Sequence, residues 1–90
     1  MSEQERETLI EYPCDFPIKA MGESSEGFDA LVVSIVRQHA EDIHEGAVAT
    51  KQSSGGKYTS VTVTIRATSQ NQVDAIYRDL SSHELVKYIL

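Results

Sequence analysis

The sequence contains no tryptophan, one cysteine, two prolines, and only eight lysines and arginines against fourteen aspartates and glutamates. Each shortage closes a route. Cys14 has no second cysteine for an internal disulfide, and beside Pro13 and Asp15 it lacks the electropositive surroundings that activate a nucleophilic thiolate. A formal charge of -6 and a pI near 4.9 disfavour general affinity for nucleic acid or anionic membranes, which depends on summed positive potential. No apolar run approaches the roughly 18 residues that span a bilayer, and the first residues show neither an arginine-rich presequence nor an apolar leader. A soluble protein of the reducing cytoplasm is expected.

What is present is one clear strand. In Lys57 to Ala67, Val61, Val63, Ile65 and Ala67 alternate with Ser60, Thr62, Thr64 and Arg66, a period of two carried by β-branched residues. Ser53, Ser54, Gly55 and Gly56 precede it, and paired glycines permit the positive φ of a tight reversal. A hairpin is expected there.

Ninety residues make one domain, which buries about 60 to 65% of its unfolded surface. Residues 1–12 carry Glu3, Glu5, Glu7 and Glu11 against Arg6 and read as an acidic, flexible segment; residues 13–90 form the domain. Phe16, Ile18 and Ala20 suggest a first strand with its even-numbered residues inward, starting at Pro17 because proline cannot donate to a ladder. Gly22 to Ser25 reads as a turn, with Ser24 or Ser25 capping a helix whose Phe28, Leu31, Val32, Ile35 and His39 form a buried stripe. That helix is expected to fray near Ala40.

A polar connection, Glu41 to Gly46, leads to a short strand over Ala47 to Gln52. Beyond the central strand, Ser69 with Gln72 three residues later is a capping box. It opens a helix whose Val73, Ile76, Tyr77 and Leu80 face inward and which ends over Ser81 to His83. Leu85 to Leu90 reads as a closing strand with Val86, Tyr88 and Leu90 inward and Lys87 outward.

The order β-α-β-β-α-β, with a right-handed crossover through each helix, predicts an α+β ferredoxin-like sandwich. Its antiparallel sheet has four strands in the order 4-1-3-2, with both helices on one face. The other face is left uncovered, carrying Tyr58, Ser60, Thr62, Thr64 and Arg66 with Lys19, Met21, Lys87 and Ile89. An RNA-recognition sheet needs several stacking rings on this central strand. Aligned on Val61, the chain offers Tyr58, then Ser60 and Val63 where the second and third rings belong.

Other constellations are weaker. His39, Glu41, Asp42, His44 and Glu45 are ligand-type residues, but the two histidines stand five apart across a helix end instead of the i, i+4 of a helical metal pair. Gly22 to Gly27 has the glycines of a phosphate loop, yet Glu23, Glu26 and Asp29 repel an anion. No nucleophile, base and orienter converge in the sequence. No catalytic residue, metal ligand or cofactor is expected. The hairpin segment Lys51 to Lys57 is the one locally basic stretch, suited to a carboxylate, a phosphate or an acidic partner surface.

These residues together resemble the small bacterial YbeD-like family of unknown function: Tyr12-Pro13, Phe16, Lys19-Ala20-Met21-Gly22, Ser53-Ser54 with Gly56, Tyr58, Ser60-Val61 through Ala67-Thr68, Gln72-Val73, Tyr77, Leu80 and Val86 to Leu90. The resemblance implies a ferredoxin-like fold similar to the ACT regulatory domains, which bind small effectors such as amino acids. It also implies a genomic association with lipoate biosynthesis. In ACT domains the effector contacts lie at the first strand-helix turn, here Met21, Gly22 and Glu23, where Glu23 and Glu26 oppose a carboxylate.

The expected function is therefore a non-catalytic regulatory or interaction module that binds a partner protein or a small metabolite. Its candidate residues are Lys19, Met21, Gly22, Lys57, Tyr58, Ser60, Thr62, Thr64, Arg66 and Lys87. A homodimer is expected through apolar Met21, Leu85 and Ile89. Nucleic-acid binding through the open face is the alternative.

Overall fold

The computed structural model describes residues 11–41, 43 and 45–89, and its sheet is built on two ten-residue strands. β1 (Cys14–Glu23) and β3 (Tyr58–Ala67) pair antiparallel from Cys14 opposite Ala67 to Glu23 opposite Tyr58. The alternation sets this register. Ile18 and Ala20 meet Val63 and Val61 on one face, and a slip of one residue would turn both apolar rows to water.

β2 (Val48–Gln52) pairs with the far side of β3, and β4 (Tyr88–Ile89) with the far side of β1. The order is β2-β3-β1-β4, the expected ferredoxin-like arrangement read from its other edge. Two helices, α1 (Phe28–Arg37) and α2 (Gln70–Ser82), pack against each other and over the apolar face. Phe28, Ile18, Ile65, Ile76 and Leu80 are among the fully buried side chains, each contributing about 1.5 to 3 kcal/mol by leaving water. No described helix is long and apolar enough to cross a membrane.

Several local expectations are corrected. β1 starts at Cys14, not Pro17. The Lys87 N–H donates to the Met21 carbonyl at 2.8 Å, which shows that odd-numbered β1 residues aim their backbone groups away from β3. Pro17 therefore lies at an edge that β4, paired only with Ala20 and Met21, does not reach, and its missing donor disturbs no ladder.

The expected turn at Gly22 to Ser25 begins later, because β1 runs through Glu23 and the Ser24 N–H still donates to the Lys57 carbonyl at 2.9 Å. Neither serine caps α1. Gly27, at φ 83°, takes the N-cap position, while the Ser24 hydroxyl is bonded to that of Thr59 at 2.8 Å. The buried stripe is accordingly Phe28, Val32, Ile35 and Val36; Leu31 and His39 are only half-buried.

The hairpin is as expected. Gly55 and Gly56 have φ of 86° and 75°, and Ser53 closes the loop, its N–H donating to the Tyr58 carbonyl at 2.8 Å and its Oγ accepting the Tyr58 N–H at 3.0 Å. At α2 the Ser69 hydroxyl accepts the Gln72 N–H at 3.1 Å. The reciprocal bond of the capping box falls one residue earlier, Gln72 Oε1 accepting the Thr68 N–H at 2.7 Å.

The closing strand is shorter than expected and has the opposite parity. Residues 83–87 form a turn and an irregular link in which Val86 is buried, and pairing begins only at Tyr88. Ile89 then stands opposite inward-facing Ala20, and Tyr88 opposite Met21 on the uncovered face. The expected inward position of Leu90 and the acidic segment over residues 1–10 lie outside the described residues.

Candidate functional site

The uncovered face is ordered by register. Reading across β1 and β3, its rows are Glu23 with Tyr58, Met21 with Ser60, Lys19 with Thr62, Pro17 with Thr64, and Asp15 with Arg66. Each is a pair of the non-hydrogen-bonded kind, whose side chains stand closest. β2 adds Lys51 beside Ser60 and Ala49 beside Thr62, and β4 adds Tyr88 beside Met21.

One row thus runs Lys51, Ser60, Met21, Tyr88 across all four strands. Around it Lys19, Met21, Lys51, Gln52, Ser53, Tyr58 and Ser60 line a solvent-open depression of about 200 Å³. Ser60 forms its floor, only 7% exposed, and its hydroxyl makes a long 3.3 Å bond to the Lys51 carbonyl.

The electrostatics of this depression run against the rest of the chain. Two lysines border it and, among the described residues, no carboxylate lines it. Among the described residues neither lysine has an acidic partner within ion-pair distance. Lysine stems lie along apolar surface while the charged heads reach water, so the two cations can converge on one guest. Tyr58 supplies an aromatic wall, with the Lys57 Nζ 5.6 Å from its ring centroid. The hydroxyls of Ser53 and Tyr58 can donate to anionic oxygens.

The remaining expected site residues separate from it. Thr62 and Thr64 continue along the open face. Arg66 lies at its far end, paired with Asp15 at 3.2 Å. Lys87 is exposed in the irregular link before β4, outside the paired residues of the sheet. Ile89, expected on the open face, points to the helices with Ala20. The apolar patch expected for a dimer therefore loses Ile89 and gains Tyr88, 62% exposed, with Leu85 46% exposed nearby in the chain.

Gly22 is corrected most. A Cβ there would lie 2.2 Å from the Leu85 carbonyl oxygen and 2.7 Å from the Phe28 ring. Gly22 is thus a packing contact in a strand, and no effector fits against it on the helix side.

Four residues absent from the expected set belong to the depression or its row: Lys51, Gln52, Ser53 and Tyr88. Lys51 was legible as part of a basic hairpin, and the β2 register converts it from a turn residue to a face residue. Tyr88 carried no such signal, because its direction depends on where β4 begins to pair.

The histidine cluster resolves differently. His39 Nε2 and Asp79 Oδ2 are 2.5 Å apart, tying the end of α1 to α2, and Gln72 Nε2 donates to the His39 carbonyl at 2.8 Å. Asp42 and His44 lie outside the described residues. His39 also borders a polar cleft of about 510 Å³ with Gln38, Glu41, Arg66, Thr68 and Gln72. Every charge-bearing side chain there except Glu41 is already paired within the fold.

Comparison with known proteins gives the family of the chain. The family model described as protein of unknown function (DUF493) matches residues 7–90. A UPF0250 protein of Janthinobacterium sp. (strain Marseille) is 51% identical over 84 residues, covering 93% of this chain and 92% of that one. A UPF0250 protein of Paraburkholderia phytofirmans is 51% identical, with 93% and 94% covered, and one of Neisseria gonorrhoeae is 48% identical over the whole of both chains. The chain belongs to the DUF493 family, to which its YbeD-like sequence features point.

Proposed function

We propose that this chain is a regulatory or interaction domain that acts without catalysis, binding a small metabolite or a partner protein on its uncovered sheet face. The observation that carries this reading is the juxtaposition of Lys19 and Lys51 over Ser60, two cations without acidic partners among the described residues of an acidic chain. Clustered, unneutralised charge in a concave site is better matched to a ligand than to fold stability. The comparison with ACT-like domains is one of manner, a small module that responds to an effector, with the site moved from the first strand-helix turn to the open face. The family resemblance adds lipoate metabolism as its setting, and the lone cysteine fits a reducing cytoplasm as its compartment.

The test is an amide chemical-shift map of the isotopically labelled chain against a metabolite extract of its host cell. Shifts concentrated at Lys19, Lys51, Ser53 and Ser60 are expected. Shifts confined to the outer surfaces of α1 and α2, or none at all, would defeat the reading. A homodimer through the same face is a further proposal, expected to give a light-scattering mass of about twice the 10.0 kDa chain at micromolar concentration; a mass of one chain removes it.

Binding of single-stranded nucleic acid is a second reading. It is favoured by Tyr88, which adds to Tyr58 another ring exposed on the face, and rings of this kind stack bases. It predicts salt-sensitive binding weakened by Arg66→Ala and Tyr88→Ala. Unchanged affinity in both variants would dismiss it.

A further inference from the structure

Resting on the small-metabolite form of that reading, we infer that the depression over Ser60 takes a small organic acid with no α-ammonium group, its anionic head held between Lys19 and Lys51. The charge pattern decides the head. Both borders are cationic and, among the described residues, the lining has no carboxylate, so an anion gains attraction from two sides. A zwitterionic amino acid brings its own ammonium to the same place, and like charges a few ångströms apart offset that gain. An amino-acid site needs an acceptor for the ammonium, such as a carboxylate. The nearest acidic side chain of the face, Glu23, shares the row of Tyr58 but is not among the described residues that line the depression.

The donors match a small head. Lysine acts as a compact point charge instead of the planar fork that selects bidentate geometry, and the Ser53 and Tyr58 hydroxyls complete the coordination of oxygens. A volume of about 200 Å³ is below the range of about 300 to 1,000 Å³ that holds drug-sized ligands. The head and a short body fit. From Lys51 and Ser60 the row continues to Met21, beside Lys19 on β1, and then to Tyr88 on β4, an apolar and aromatic path. The bound molecule is therefore amphipathic, with its charge over β3 between the lysines of β1 and β2 and its carbon toward β4.

The experiment compares three probes on the full labelled chain by amide chemical shifts: sodium 4-methylpentanoate, leucine, which has the same carbon skeleton plus the α-ammonium, and inorganic phosphate. The acid is expected to give saturable shifts at Lys19, Lys51 and Ser60 with a dissociation constant on the order of 1 mM, weakened by added salt. Leucine and phosphate are expected to bind at least about tenfold more weakly, the first from charge repulsion and the second for want of an apolar body. Lys19→Gln with Lys51→Gln is expected to abolish the acid's saturable shifts while the spectrum stays dispersed, and Lys51→Arg to retain binding.

Leucine binding as tightly as the acid at these residues would overturn the inference and leave the open-face reading standing. So would phosphate binding as tightly as the acid. Silence from all three probes would also overturn it, and the extract experiment would then decide separately whether the face binds anything.

Discussion

Gly22 faces Leu85 across a gap with no room for a side chain: a methyl group at position 22 would come within 2.2 Å of the Leu85 carbonyl oxygen. This contact brings the link before β4 down onto β1, and the Lys87 to Met21 hydrogen bond follows two residues later. Gly22→Ala is expected to cost about 3 kcal/mol or to detach β4, since overpacking against backbone is relieved only by moving it. Urea unfolding measures the loss. A midpoint equal to that of the parent would show that the link moves aside freely.

Gly55 presents the opposite case: a methyl group there would have nothing within 4 Å, but the backbone φ is 86°. Gly55→Ala is expected to cost about 1 kcal/mol through backbone conformation alone. Gly46→Ala, which meets neither close atoms nor a positive φ, is expected to be neutral or slightly stabilising. Thermal melts of the pair separate conformational cost from crowding, and equal losses in both would contradict the assignment.

Gln72 joins three segments, its Oε1 accepting from Thr68 and its Nε2 donating to the His39 carbonyl. Gln72→Ala is expected to lose about 1 to 2 kcal/mol, more than an isolated cap, because one side chain serves both the α2 terminus and the end of α1. Gln72→Glu keeps the acceptor and removes the donor, so a double-mutant cycle with Ser69→Ala reports how far the two roles couple. A loss below about 0.3 kcal/mol for the alanine variant would count against a joint role.

Burial raises the Tyr77 hydroxyl above its ordinary pKa of 10.0. In the folded chain it holds its proton to higher pH than in the unfolded one, so its contribution to stability is intact below pH 10.0 and falls as pH climbs through the raised folded value. Tyr77→Phe is expected to remove that part of the alkaline decline. Parallel urea titrations at neutral and alkaline pH check it; an identical decline in both proteins would refute the assignment.

Much of the fold was legible because its signals are local and redundant. The alternation through Val61, Val63 and Ile65, the paired glycines at 55 and 56, and the Ser69 cap each act within a few residues, and all agree with one topology. Parity in β4 was not legible. Val86 is buried from irregular backbone, so its burial does not determine which way Tyr88 turns; only pairing to Met21 does that. The start of α1 escaped for a similar reason, since Ser24 is held by Lys57 and Thr59, more than thirty positions away. The candidate site stands between these cases: Lys19, Met21, Tyr58 and Ser60 follow from alternation on two long strands, whereas Lys51 joins them through the register of β2.

Pro17 has a consequence beyond its tolerance in β1. Among the described residues β4 pairs only with Ala20 and Met21, so the neighbouring stretch of β1 has no strand partner there and is an edge on which another chain's strand would find a template. Pro17 interrupts the donors of that edge at its middle, and Lys19 adds a charge two residues on. Proline and lysine are the residues by which β proteins discourage intermolecular sheet growth. The short fourth strand is thus compatible with a chain that stays dispersed, and replacing Pro17 with a β-branched residue is the change that would most favour its aggregation.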